Sequence, residues 1–323
     1  MSQRLEIALE AQSVTLPEGR IAVFAPRGDV DLSALGRERV QVIQGFKPDH
    51  DAFARAGYDC TVEASGDFTA AMVFLPRSKT QARALIAEAA AYGGLVIVDG
   101  QKTDGVDSML KAVRKRTGTG AVISKAHGKL FSFEGGDFSD WVAQDGRVGD
   151  FVTRPGVFSA DKVDRGSEAL IAALPKKLPK RVVDLGAGWG FLSRAILQHD
   201  SVEHLDLVEA DHAALECARL NVTDPRAAFH WADANRFRPE AMAGAVITNP
   251  PFHTGRSGDP DLGRAFIKAA AGLLTPSGEI YLVANRHLPY EATLAELFRN
   301  VEELPGNSGF KILHGSKLLR GRR

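Results

Sequence analysis

The chain has 323 residues, enough for about two domains at roughly 150 residues each. Hydrophobic residues make up 44% and charged residues 25%, an average globular composition that excludes a disordered chain, a fibrous repeat and a membrane bundle. The 40 Lys and Arg cancel the 40 Asp and Glu, so any nucleic-acid partner has to be read from local patches.

The start, Met1-Ser-Gln-Arg4-Leu-Glu6, has no apolar core after a basic residue, and no export signal is read there. Short apolar runs then alternate with helical patterns in both halves, the signature of parallel sheets with crossover helices. In the first half Ala71-Met-Val-Phe-Leu-Pro76 and Gly94-Leu-Val-Ile-Val-Asp99 read as strands on either side of a helix. The most apolar stretch, Ala84 to Val98, is broken by Glu88 and Gly93-Gly94 and falls short of the roughly 18–20 residues that cross a membrane. Basic residues cluster at Lys111, Arg114, Lys115 and Arg116, at Lys125 and Lys129, at Lys176 to Arg181 and in the tail. They are candidate phosphate contacts, although any one cluster is equally a solvated face.

Between Phe138 and Gly156 the periodicity lapses and Gly, Asp and Ser gather, which sets an expected boundary between units 1–150 and 151–323. Beyond it Arg181-Val-Val-Asp-Leu185 reads as a strand, Phe191 to Gln198 as a helix, and strands recur at Leu205 to Glu209, Ala228 to Trp231, Ala245 to Thr248 and Glu279 to Val283. The last two runs, Val301 to Leu304 and Phe310 to Leu313, flank a Gly/Asn turn and predict an antiparallel hairpin closing a parallel sheet. The first half repeats the strand–Pro–helix–Gly–strand order of the second, which points to duplication. The two cysteines, Cys60 and Cys217, lie far apart without metal-ligand spacing, so no metal is expected and a reducing cytoplasm is.

Four positions carry chemistry. Asp184-Leu-Gly186-Ala-Gly188-Trp-Gly190 joins a strand to a helix, and glycines there let the backbone approach a ligand. The third glycine comes one residue too early for a nicotinamide fingerprint, and the acid suits a cofactor with a cation near the loop, such as the amino group of S-adenosylmethionine. Glu209 ends the next strand; alone it could be a helix cap, as could Asp211, but with the glycine turn it reads as an acceptor for both ribose hydroxyls. Asp233 with Ala234 ends the third strand, where a carboxylate could accept from the adenine amine or simply close a surface loop. Asn249-Pro250-Pro251-Phe252 follows the fourth strand, at the carboxyl edge where open α/β sheets bind ligands. Its two prolines fix the directions of the Asn249 side chain and the Pro250 carbonyl, two acceptors for the hydrogens of a planar amine, while Phe252 offers a face for stacking a base. His253 is as readily solvated as functional.

In this order the motifs resemble class I S-adenosylmethionine methyltransferases that act on an exocyclic or amide nitrogen. With the upstream run Arg154-Pro-Gly-Val-Phe158-Ser and Asp164-Arg-Gly166-Ser167, the chain is similar to the small-subunit (16S) ribosomal RNA guanine-N2 methyltransferases. The resemblance implies an α/β fold of two tandem Rossmann-like domains, the N-terminal one degenerate and the C-terminal one a seven-stranded mixed sheet. It implies S-adenosylmethionine as cofactor, held near Phe158, Asp164 and Gly166 as well as the glycine turn, and ribosomal RNA or the small subunit as partner. Pro251 and His253, with Arg114 and Lys115, are the expected substrate contacts, and a cytoplasmic monomer is favoured. Where the glycine turn and the Asn-Pro-Pro-Phe motif should recur, the first half reads Val23-Phe-Ala-Pro26-Arg-Gly28 and Phe74-Leu-Pro76-Arg77, so it is expected to be silent. The alternatives are a glutamine-N5 methyltransferase of release factors, a DNA adenine-N6 methyltransferase and a non-catalytic RNA-binding assembly factor.

Overall fold

In the computed structural model, which describes residues 3–251 and 260–319, the chain divides into two compact units. The first comprises residues 1–145 and 154–156, the second residues 146–153 and 157–323.

The first unit runs α1 (Gln3–Glu10), β1 (Ile21–Phe24), β2 (Val40–Ile43), α2 (Lys47–Arg55), β3 (Asp59–Thr61), β4 (Ala70–Phe74), α3 (Lys79–Ala91), β5 (Leu95–Gln101), α4 (Val106–Arg114), β6 (Ile123–Lys125) and β7 (Gly128–Glu134). Its sheet has the order β3-β2-β1-β4-β5-β7-β6, parallel except where β7 pairs with β5 and β6. β1 and β2 are buried at every residue, as strands covered on both faces are, and the one polar side chain among them, Gln41, donates to Asp59 Oδ2 at 2.8 Å. One charge pair is built into this core: Arg4 Nε of α1 donates to Asp99 Oδ1 of β5 at 2.6 Å. Both side chains are buried, so each would be strongly destabilising without the other.

The second unit begins with a ribbon, β8 (Gly146–Val148) and β9 (Phe151–Thr153), and continues α5 (Arg165–Ala173), β10 (Arg181–Leu185), α6 (Phe191–Ile196), β11 (His204–Glu209), α7 (His212–Asn221), β12 (Ala227–Trp231), β13 (Ala243–Thr248), α8 (Pro260–Leu273), β14 (Leu274–Asn285), α9 (Tyr290–Leu297), β15 (Phe298–Leu304) and β16 (Phe310–Leu318). Its order, β12-β11-β10-β13-β14-β16-β15, repeats that of the first unit strand for strand, with β16 again antiparallel to both neighbours. The expected pair of α/β sheets and the closing hairpin are both present. β14 starts earlier than the sequence predicts, because Thr275-Pro-Ser-Gly278 reads as a turn. The register shift that pairs Ala243 with Leu274 and Ala245 with Glu279 lets this stretch bulge while the strand continues.

Side-chain alternation along β10 and β11 puts Val183, Leu185 and Val208 against Phe266, Ile267 and Ala270 of α8. Val182, Leu205 and Leu207 face Leu170, Leu192, Ile196 and Ala218 of α5, α6 and α7. Each of the Val, Leu, Ile and Phe side chains contributes about 1.5–3 kcal/mol on burial, so the sheet is a rigid base for the loops at its carboxyl edge. The chain leaves β10 towards β11 and β12 and returns on its other side at β13, so the strand order reverses between β10 and β13. A crevice forms at such a switch point, and the candidate motifs end there.

Candidate active site

The turn after β10 is folded over β11 by two backbone bonds, from Gly186 N and Ala187 N to the Val208 carbonyl at 2.8 and 3.1 Å. Gly188 (φ +56°) and Gly190 (φ +89°) both lie in the left-handed region, for different ends. A Cβ on Gly190, which starts α6, would come within 2.8 Å of Val222 on the far side of the turn. A Cβ on Gly188 would meet nothing within 4 Å and would stand in the open crevice. Gly190 thus serves packing, and Gly188 keeps space clear for a ligand.

Two carboxylates flank this turn. Asp184 is fully buried; Ser193 Oγ donates to its Oδ2 at 2.5 Å, while its Oδ1 has no partner among the described residues. Burial pushes this carboxyl up to about 7. Glu209 ends β11 half-buried, accepting from Gly188 N and Asp211 N, each at 2.8 Å. Burial raises it, too, to about 7. Asp211, not Glu209, caps α7, accepting from Ala213 N at 2.9 Å. Glu209 is therefore left at the crevice. Asp233 and Ala234 follow β12, whose Trp231 pairs with Glu209. Asp233 Oδ1 accepts from Asn235 N and Nδ2 at 2.9 and 3.1 Å and closes the turn, and Ala234 is buried.

On the other side of the switch point, Thr248 Oγ1 donates to the Leu185 carbonyl at 2.7 Å, tying the end of β13 to β10. Asn249 Nδ2 then donates to Asp164 Oδ2 and to Ser167 Oγ, both at 2.8 Å. Pro250 is buried and Pro251 exposed, whereas Phe252 and His253 lie outside the described residues. The crevice is lined by Phe158, Asp164, Ser167, Gly186, Gly188, Trp189 and Asn249. Phe158 is 62% exposed, and its carbonyl accepts from Trp189 Nε1 at 2.8 Å, which fixes its loop on the glycine turn. Gly166 lies behind: a Cβ there would press on Asp164 Oδ2 and the Phe310 ring at 2.9 and 3.2 Å. Sequence reasoning missed Ser193, and no local spacing points from it to Asp184. It also missed a role for Trp189, which stands inside the glycine motif itself.

Arg114 and Lys115 are exposed at the end of α4, Arg114 Nε donating to Thr119 Oγ1 at 3.1 Å. Arg116 departs from the basic run in which it was read. Its guanidinium makes two bonds of 2.7 Å to Asp140 and lies 4.6 Å from the Trp141 ring centre, so it is committed within the first unit. Lys129 is paired with Asp107 at 2.6 Å.

The first unit holds a counterpart of the crevice with its polarity reversed. Ala25 N bonds the Ile43 carbonyl at 2.9 Å, as Gly186 N bonds Val208. Gln44 then takes the place of Glu209, its Oε1 accepting from Phe46 N two residues on at 2.8 Å. Its amide nitrogen donates to the Pro26 carbonyl at 2.6 Å, where Glu209 accepts from Gly188. Gly28 N is taken up by Asp49 Oδ1 at 2.9 Å. The loop is stitched shut, and no carboxylate faces it where Glu209 stands. Asp49 sits inside the first turn of α2 and does not cap it, unlike Asp211 at the start of α7.

A mixed seven-stranded sheet of this order, with an acid and a glycine turn at its first central strand and a second acid at the end of the next, defines a class I S-adenosylmethionine-dependent methyltransferase. The residues present fit that cofactor: Asp184 beneath the glycine turn holds a buried acceptor without a partner among the described residues, suited to a cationic amine, and open space lies over Gly188. Residues 149–314 match the family model of the methyltransferase small domain, and the chain belongs to this family. It is 29% identical over 296 residues to the ribosomal RNA small subunit methyltransferase C of Shewanella loihica, spanning 85% of this chain and 84% of that protein. To the protein of the same name from Shewanella pealeana it is 30% identical over 277 residues, spanning 77% and 78%. Among solved structures, a T. thermophilus 16S rRNA N2 methyltransferase (RsmC) in complex with AdoMet and guanosine superposes with a TM-score of 0.79 at 25% identity, covering 98% of this chain and 92% of that one.

The two glycines give a paired expectation. Gly188→Ala should fold with a loss of only about 1–2 kcal/mol, the cost of a left-handed alanine, but bind S-adenosylhomocysteine at least about tenfold more weakly. Gly190→Ala should lose more stability, because the same backbone cost is joined by a clash with Val222. Thermal unfolding and calorimetric titration of both variants check this. Equal cofactor affinity in Gly188→Ala and wild type would remove Gly188 from the ligand surface.

Proposed function

We propose that the second unit transfers the methyl group of S-adenosylmethionine to the exocyclic N2 of a guanine in 16S ribosomal RNA, in the cytoplasm. The names of the relatives and the guanosine in the T. thermophilus complex support this substrate. The observation that carries it is the Asn249 side chain: its donor end is taken up by Asp164 and Ser167, and among the described residues no hydrogen bond reaches its acceptor end, which is assigned to the amine.

The cofactor supplies an electrophilic methyl on a sulfonium. Everything else is positioning, and holding the amine in line with that methyl converts a bimolecular encounter into a unimolecular step. Asp184 Oδ1 accepts from the methionine amine, Glu209 from the ribose hydroxyls, and Asp233 with the Ala234 backbone meets the adenine edge. Asn249 Oδ1 and the Pro250 carbonyl accept the two hydrogens of the guanine amine and turn its lone pair out of the ring plane. Phe252 is assigned to the face of the base, and Pro251 and His253 to further substrate contacts. Once methylated, the nitrogen is a strong acid and loses its extra proton to water without a dedicated base. The assay that tests this uses labelled S-adenosylmethionine with separated small subunits, naked 16S RNA and release factors, followed by digestion. N2-methylguanosine is expected; label in a glutamine or an adenine would replace this reading with one of its alternatives.

The first unit, lacking a cofactor loop, serves to support the second or to hold RNA, with Arg114 and Lys115 as phosphate contacts. Arg114→Ala with Lys115→Ala should weaken RNA binding and reduce the slope of log affinity against log salt by about 0.7–0.9 per lost contact. S-adenosylhomocysteine binding should not change. An unaltered slope in filter binding across a salt series would strip both residues of this role.

A further inference from the structure

We infer that Asp164, together with Ser167, is a positioning residue for the reaction, fixing which end of the Asn249 amide faces the substrate. The two ends of an asparagine amide are nearly alike in shape and opposite in polarity. With Oδ1 outward Asn249 accepts from an amine; with Nδ2 outward it sets donor against donor and the amine is repelled. The backbone of β13 places the side chain but does not choose between these states.

The choice is made by α5. Asp164 Oδ2 and Ser167 Oγ both receive Asn249 Nδ2 at 2.8 Å. Reversing the amide would press Oδ1 against a carboxylate oxygen and turn a charge-assisted hydrogen bond into a repulsion. The same Asp164 oxygen accepts from Ser167 N at 2.9 Å as the cap of α5, so the lock is held by the helix start. Gly166 completes it, because a Cβ at that position would come within 2.9 Å of the same oxygen. The spacing Asp164-x-Gly166-Ser167 is thereby explained as one device: an acceptor, a gap beside it, and a second acceptor whose backbone anchors the first. The resemblance placed Asp164 and Gly166 beside the cofactor; the geometry gives them a task at the amine.

This inference rests on the proposed amine-directed reaction, and its test reads the lock both with and without turnover. Asn249→Asp sets two carboxylates face to face and should lower kcat at least a hundredfold. Adding Asp164→Asn reverses the donor and acceptor between the two side chains and keeps an oxygen towards the substrate, while the cap on Ser167 N, which in wild type uses the same Asp164 oxygen, is given up. The double variant should recover kcat at least tenfold over Asn249→Asp, with S-adenosylhomocysteine affinity within twofold of wild type. Asp164→Ala alone should lower kcat about 10–100-fold with the KM for RNA changed less than threefold, whereas a mere loss of helix cap would shift only the melting temperature. Independently of activity, the Asn249 side-chain amide protons, identified in nitrogen-15 NMR by their absence in Asn249→Asp, should exchange at least tenfold faster in Asp164→Ala. If Asp164→Ala does not fold, Ser167→Ala, which keeps the backbone cap, should show the same acceleration to a smaller degree. A double variant no better than Asn249→Asp although folded and binding cofactor, or exchange unaffected by both substitutions, overturns the inference. Should wild type methylate no guanine while the exchange results hold, the lock stands and the substrate reading falls.

Discussion

Replacing Asn249 with alanine is expected to lower kcat and kcat/KM together by about 10²–10³, the range found when one preorganised polar contact to a reacting centre is removed. The side chain makes no bond to the glycine turn, to Asp184 or to Glu209; among the described residues its two bonds run to Asp164, the cap of α5, and to Ser167 in its first turn. Cofactor affinity should therefore stay within a few-fold of wild type. Asp164 keeps its cap on Ser167 N, so the helix should survive. Single-turnover methylation with saturating cofactor, beside calorimetry with S-adenosylhomocysteine, separates the two effects. A variant that turns over near the wild-type rate means the amine is gripped elsewhere; one that loses cofactor binding to the same degree means Asn249 belongs to the cofactor.

Much of this site was legible from sequence because its parts are local. A glycine turn between strand and helix, an acid at a strand end and Asn-Pro-Pro each carry their geometry within a few residues, and the strand order collects them at one edge. What was not legible is what crosses the sheet. The bond from Ser193 to Asp184 joins a helix to a strand, and that from Asp164 to Asn249 spans 85 positions. Gln44 shows the same limit from the other side. Its identity reads as a conservative change from glutamate, yet an amide donates where a carboxylate accepts, and only its contact with Pro26 shows the crevice of the first unit closed. Charge runs were the least legible: Arg116 stands beside Arg114 and Lys115 in sequence but is spent on Asp140 and Trp141.

Asp184→Asn is expected to strengthen the fold at pH 8 and to weaken the cofactor complex, two effects of opposite sign from one buried carboxyl. In the ligand-free protein burial raises Asp184 from 3.8 to about 7, against the opposing pull of its hydrogen bonding with Ser193. Between about pH 4 and 7 the folded state thus holds a proton that the unfolded chain has lost, so stability from this group falls as pH rises through that window. Above it the folded protein carries an unfavourable buried charge, which the neutral amide removes, and the melting temperature of the variant at pH 8 should exceed that of wild type. On the proposed cofactor role, the charge serves the ligand. A cationic amine at the unpartnered Oδ1 favours the ionised form, so binding has to expel the proton wherever Asp184 is protonated beforehand. Wild-type affinity for S-adenosylhomocysteine should accordingly weaken as pH falls from 8 to 6, by up to about tenfold per unit, with proton release visible as a dependence of the binding enthalpy on buffer. Glu209, raised to about 7 by burial as well, adds a second contribution; because its charge also raises Asp184, Asp184→Asn should reduce the pH dependence without abolishing it. In Asp184→Asn the pH slope should flatten and affinity at pH 8 should drop at least about tenfold. An amide variant that binds as tightly as wild type, or that melts lower at pH 8, is incompatible with a charge held for the cofactor amine.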